Sequence, residues 1–225
     1  MKKIAICISG LPRNVEAGFH NILEHIIKPN NEPDIFIHTW IGDDENLKNK
    51  VIELYNPKIV SFEPRKTFIN NSMELDRMMV SHGRSYTREN FVDMLYSSWY
   101  SVQAANNLKE QYRLANGIMY DYVIRARFDI NYNIKLDCSQ FNDNIVYICN
   151  RQLPDHDMVD DRFAFGSNHN MNVYSSGFDW IDYMCKLRDI KDGIFCGETL
   201  VYEMLTMANI ENNKIDNLVC TRLHS

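Results

Sequence analysis

Three charged residues alternate in the run Arg125-Ala126-Arg127-Phe128-Asp129, directly after an apolar stretch from Tyr120 to Ile124. In an extended chain such alternation places all three on one face. Ionised groups are expensive to bury alone, so these residues either pair with one another or line a polar site. Two arginines against one aspartate leave positive charge in excess, which suits an anion such as a diphosphate. A second group is the acidic run Asp155-His156-Asp157-Met158-Val159-Asp160-Asp161-Arg162. Paired carboxylates there can orient sugar hydroxyls, although a solvated acidic loop has the same composition, and no glycine occupies the sixth position of an EF-hand series. A third group, Ser9, Gly10 and Arg13, follows the first apolar run. A glycine at such a turn lets backbone amides approach a ligand, and an arginine can pair with phosphate. The turn has neither GxGxxG nor GxxxxGK[ST] spacing, which argues against a Rossmann dehydrogenase or methyltransferase and against a P-loop NTPase. Gly197-Glu198-Thr199 sets a carboxylate in the first turn of a helical pattern, where it is also a common helix stabiliser.

Those groups form one site only if the fold brings them together. Ile4-Ala5-Ile6-Cys7-Ile8, Asp34-Ile35-Phe36-Ile37-His38-Thr39-Trp40 and Ile59-Val60-Ser61-Phe62 read as strands, the first buried on both faces. Between them, Val15, Phe19, Ile22, Leu23, Ile26 and Ile27 recur at helical spacing, with Asn14 as N-cap and Pro29 as stop, and Leu47, Val51, Leu54 and Tyr55 suggest a second helix. A long helix carries Phe91, Leu95, Trp99, Val102, Ala105 and Tyr112 up to Asn116-Gly117. Further strands are expected at 120–124, 144–148 and 163–165, and helices at 171–187 and 200–208. The polar stretch 64–88 reads as a mobile loop over one end of the sheet. Strands separated by helices call for a mostly parallel sheet with right-handed crossovers, whose ligands bind beyond the carboxyl ends of the strands. Trp40, Tyr100 and Trp180 can stack on a sugar or base, a role they share with ordinary core packing.

The composition is that of an ordinary globular domain. The chain has 225 residues, 45% hydrophobic and 24% charged, with a net charge of -6. No repeat or linker divides it, so residues 1–225 are expected to form one domain. No basic cluster is dense enough to follow a nucleic-acid backbone. No run is long enough to span a membrane and no signal-peptide h-region follows Met1, so a cytoplasmic location is expected. Six cysteines without a CxxC pair read as buried free thiols rather than a zinc site or disulfide framework.

The runs 120–129 (Tyr-Asp-Tyr-Val-Ile-Arg-Ala-Arg-Phe-Asp), Trp99-Tyr100-Ser101 and Asp160-Asp161-Arg162-Phe163-Ala164-Phe165-Gly166-Ser167 resemble GT-A-fold glycosyltransferases of polysaccharide loci and large DNA viruses. The opening Ile8-Ser9-Gly10-Leu11-Pro12-Arg13 and the Asp34 to Trp40 run fit the same group, in the same order. The resemblance implies a single-domain, GT-A-like (Rossmann-like) α/β fold, a mostly parallel sheet flanked by helices. It implies a hexosyl- or pentosyltransferase using a nucleotide-diphosphate sugar and a glycan or glycoprotein acceptor. It implies Mn²⁺ or Mg²⁺ held by Asp129 and by His224. The family's usual Asp-x-Asp is Arg127-Phe128-Asp129 here, so Arg127 can neutralise diphosphate charge itself. The donor would contact Ser9, Gly10, Arg13, Arg125, Arg127, Asp129, Asp160 and Arg162. Glu198 and Asp161 are the candidate catalytic carboxylates. Two other readings keep the same residues: a catalytically inactive nucleotide- or sugar-binding domain, and a nucleotidyltransferase-like phosphate enzyme.

Overall fold

A computed structural model of the chain describes residues 2–69, 88–153, 157–190 and 195–223. Four strands run parallel: β1 (Ile4–Gly10), β2 (Asp34–Trp40), β3 (Ile59–Glu63) and β4 (Tyr122–Ala126). The short strands β6 (Val146–Ile148), β7 (Ala164–Gly166) and β8 (Asn212–Lys214) extend them into a seven-stranded sheet of order β3-β2-β1-β4-β7-β6-β8. Only β7 runs against its neighbours. A separate ribbon pairs β5 (Ile130–Tyr132) with β9 (Cys220–Arg222) in antiparallel register.

Both faces of the sheet are covered, which is why β1 is apolar without alternation, while β2 buries Asp34, His38 and Thr39 among its apolar residues. Ile4, Ile6, Ile8, Ile35, Ile37 and Ile124 face α1 (Val15–Ile22) and α2 (Glu45–Tyr55), meeting Ile22, Val51 and Tyr55. Residues of the other parity, Ala5, Cys7, Phe36 and Val123, face α3 (Arg88–Asn116), α4 (Asn168–Ser175), α5 (Gly177–Ile190) and α6 (Gly197–Met207). Trp99 of α3 is central on that side: a Cβ on Gly177 would lie 2.5 Å from its ring, so α4 and α5 can close on the indole only with glycine there. The helix ends follow local chemistry. Asp44 accepts the Leu47 N–H at 3.0 Å as the α2 N-cap. After α3, Gly117 takes φ +62, and the Ile118 N–H returns to the Arg113 carbonyl at 3.0 Å.

Several expectations shift. The α1 pattern continues beyond Ile22 as a wider turn over Leu23–Ile27 and a tight turn over Lys28–Asn30. Asn14 precedes α1 with φ 51 but makes no cap; its amide instead holds the Leu223 carbonyl at 3.0 Å. The helix expected over 171–187 is two helices, broken at Ser176, because Trp99 needs the close approach at Gly177. Strand β4 starts and ends two residues later than the apolar run suggests, which places Arg125 inside it. Of the expected loop at 64–88, residues 70–87 lie outside the described residues. Residues 64–69 are not loose: Arg65 bonds Asp93, the Phe68 N–H donates to Asp93 at 3.2 Å, and Lys66 bonds Glu63.

The cysteine expectation is corrected. Cys149, after β6, and Cys220, in β9, form a disulfide across 71 residues of sequence, while Cys7, Cys138, Cys185 and Cys196 are buried and take no part in that bond. The partners are distant in the chain and meet only because the β9 segment returns to β5 and the Asn150 N–H binds the Leu218 carbonyl at 2.9 Å. Closing a loop of this size is worth about 4 kcal/mol on chain-entropy grounds. Thermal unfolding with and without reductant should therefore show a lower Tm when reduced. A Cys149→Ser/Cys220→Ser variant should melt at the reduced value under both conditions. A wild-type Tm indifferent to reductant would show that the thiols are unpaired in solution.

Candidate active site at the carboxyl ends of the strands

Strand β4 carries Arg125 into the sheet, opposite Cys7 of β1 and Ala164 of β7, with 5% of its surface exposed. Its Nε and Nη1 are buried and have no hydrogen-bond partner among the described residues, an arrangement that is costly unless another group meets them. Beyond Ala126 the chain turns, so the expected single face for Arg125, Arg127 and Asp129 does not form. Arg127 instead folds back on Asp129 in a two-pronged pair, Nε to Oδ1 and Nη2 to Oδ2, both 2.8 Å. Burial works against the Asp129 charge, but these bonds outweigh it and hold the carboxyl below its ordinary range.

The turn is pinned from three sides. The Leu223 N–H donates to the Asp129 carbonyl at 2.9 Å, Asn14 holds Leu223, and α1 presses Gly18 against the Phe128 carbonyl. The β5–β9 pairing sets Arg222 opposite Ile130, one residue past Asp129. Arg222 is exposed, and its charge is felt by Arg127, Asp129, Asp161 and Arg162; burial of its stem and the nearby Arg127 charge lower its pKa.

The approach to β7 supplies the carboxylates. Asp160, fully buried, is bound by Arg162 through Nε at 3.1 Å to both oxygens and through Nη2 at 2.6 Å. Glu198, in the first turn of α6, accepts from Arg151 at 3.3 Å, and its carbonyl accepts the Val159 N–H at 3.1 Å, which ties α6 to the acidic segment. Asp161 differs from both. It makes no hydrogen bond or ion pair with a described residue, and its Oδ2 lies where a Cβ on Gly197 would come within 2.6 Å. Burial first, then the Glu198 charge, push Asp161 up to about 6, with Arg125 and Arg127 pulling the other way. The Tyr132 and Tyr174 hydroxyls, buried without partners, sit in the field of Arg125.

At the end of β1, Ser9 is buried and Gly10 has φ +108, a conformation that favours glycine. The Gly10 N–H is engaged by Ser101 Oγ at 2.8 Å, so it does not present the free amide expected for a ligand. Ser101 Oγ also lies 2.8 Å from Nδ1 of the buried His38, whose Nε2 is 3.3 Å from Glu63. These contacts lock the ends of β1, β2 and β3 to α3. Trp40 and Tyr100 stack on each other with centroids 5.4 Å apart. Trp180 is on the outer face of α5, and Arg13 is exposed.

Asp129, the carboxylate expected to hold a divalent ion, is already engaged. Both Asp129 oxygens are taken by Arg127, and no group of three His, Cys, Asp or Glu among the described residues is arranged to hold a metal. His224 lies outside the described residues. Arg151, Arg222, Tyr132 and Tyr174 were not anticipated. A basic or hydroxyl residue outside a motif carries no local signal: the ribbon brings in Tyr132 and Arg222, the α6 contact Arg151, and α4, packed on Trp99, Tyr174.

The mostly parallel sheet with helices on both faces is the α/β architecture expected from the sequence, with the charged cluster at the carboxyl ends of its strands. The chain belongs to the family described as Domain of unknown function (DUF7796), which matches residues 1–220. No curated protein matches it. Among solved structures it is similar to mouse xyloside xylosyltransferase 1 in its apo form, at 10% identity and a TM-score of 0.47, covering 96% of this chain and 85% of that one. No helix of the described residues is long and apolar enough to cross a membrane.

Proposed function

We propose that the protein is a glycosyltransferase that moves a sugar from a nucleotide-diphosphate donor to a hydroxyl of a glycan or glycoprotein acceptor, with Asp161 as general base. The observation that carries this reading is the Asp161 carboxylate, without a partner among the described residues and in the field of Arg125, Arg127 and Arg222, next to Asp160 and Glu198, which Arg162 and Arg151 hold. The arginines suit a diphosphate leaving group, and a carboxylate held near neutral suits proton transfer. Asp160 and Glu198 are held by arginines and serve as positioning residues. In the reaction, Asp161 takes the acceptor hydroxyl proton and the acceptor oxygen bonds to the anomeric carbon. The bond from that carbon to the diphosphate oxygen breaks, and the nucleoside diphosphate leaves with the electron pair. This is inversion at the anomeric centre.

The test is a panel of nucleotide sugars, assayed for release of nucleoside diphosphate with and without oligosaccharide acceptors. One donor is expected to turn over slowly with water and faster with an acceptor. Tight binding with no release across the panel would instead make the protein a binding module.

A further inference from the structure

We propose that the donor diphosphate is neutralised by arginines, with Arg127 and Arg222 foremost, and that its binding requires no divalent cation. The inference rests on the transferase reading for its ligand, but the geometry behind it is independent of that reading. A cation bridging a diphosphate needs at least one carboxylate with oxygens to spare. Here Asp129 is held by Arg127 at 2.8 Å, Asp160 by Arg162 at 2.6 Å and Glu198 by Arg151 at 3.3 Å; Asp161 alone has oxygens to spare, and no group of three His, Cys, Asp or Glu among the described residues forms a metal shell around it. Freeing Asp129 for a metal would leave Arg127, a largely buried guanidinium, without its partner.

The positive side is better supplied. Five arginines meet four carboxylates, Asp129, Asp160, Asp161 and Glu198, and two arginines have donors to spare. Arg125 keeps two buried N–H-bearing nitrogens without partners. Arg222 is exposed at the rim, opposite Ile130, where β9 lies beside the Asp129 turn. A guanidinium binds phosphate oxygens in a forked geometry, so an arginine pair can do the electrostatic work of a bridging cation. The Arg127–Asp129 pair then acts as a fixed support that keeps the Arg127 guanidinium at the turn.

Calorimetry of nucleoside diphosphates and of inorganic pyrophosphate, in EDTA and in excess Mn²⁺, tests this directly. Wild-type affinities are expected to agree within about threefold between the two conditions. Arg222 is exposed, so Arg222→Ala should fold normally and weaken binding by about tenfold or more in both. Arg127→Asp, which places two free carboxylates at the turn, should bind the diphosphate only when Mn²⁺ is added. Wild-type affinity that vanishes in EDTA and returns with Mn²⁺ would overturn the proposal, as would an unchanged Arg222→Ala. The two readings fail separately. Metal-free pyrophosphate binding without turnover of any nucleotide sugar removes the transferase and keeps the arginine site. Turnover that demands Mn²⁺ does the reverse.

Discussion

Replacing Asp161 by asparagine should produce a protein that is more stable than wild type at neutral pH and nearly inactive. Burial and the Glu198 charge push Asp161 up to about 6, while in the unfolded chain an aspartate titrates near its ordinary value of about 3.9. Below about pH 4 both states are protonated and the residue makes no difference. As the pH rises from about 4 to about 6 the unfolded chain ionises first, so the wild-type protein loses stability, and the loss levels off above the folded value. The asparagine variant escapes that loss. Its advantage should grow from nothing at low pH to about 2–3 kcal/mol above pH 6, visible as a Tm difference that appears only on the neutral side. Turnover should fall by about 10²- to 10⁴-fold, the usual worth of a general base. In the wild type, kcat/KM should rise with pH along a limb centred at about 6. Glu198→Gln removes a neighbouring negative charge and should move that limb to lower pH while leaving the base in place. A folded Asp161→Asn protein with full activity would eliminate Asp161 and point to a retaining mechanism that needs no such base.

The second large effect is expected from one methyl group on α1. A Cβ at Gly18 would lie 1.8 Å from the Phe128 carbonyl oxygen and 3.0 Å from its carbon. Both are backbone atoms, so no flexible side chain can move aside. Gly18→Ala must push either α1 from the sheet or the Arg127-Phe128-Asp129 turn from its place. Overpacking of this kind is destabilising by about 3 kcal/mol, near 10 °C in Tm for a domain of this size. The turn holds the Arg127–Asp129 pair, so diphosphate affinity should fall together with stability. Gly42→Ala is the control: nothing lies within 4 Å of its Cβ, and no comparable loss is expected. A Gly18→Ala protein as stable as the control would show that α1 and the turn do not meet this closely in solution.

Much of the architecture was legible before any coordinates. The apolar run at 4–8 marks a strand covered on both faces because burial on two sides leaves little room for a polar residue, and that pattern is local. The long helix ends at Asn116-Gly117 as expected, since the left-handed stop that Gly117 makes is a property of the residue itself. Arg125, Arg127, Asp129, Asp160, Asp161, Arg162 and Glu198 were recognisable by type and by their places after apolar runs. Their partnerships were not. Which arginine takes which carboxylate depends on where the turn after β4, the approach to β7 and the first turn of α6 come to rest. The pairing of β5 with β9 and the Cys149–Cys220 bond join segments about 70 to 90 residues apart, and nothing in either segment alone specifies the other. Residue type and local pattern thus determined that a basic, carboxylate-bearing strand end exists. Only the tertiary structure left Asp161 as the acid without an arginine partner among the described residues and set both Asp129 oxygens on Arg127, because pairing between charges is decided by distance in space rather than by spacing along the chain.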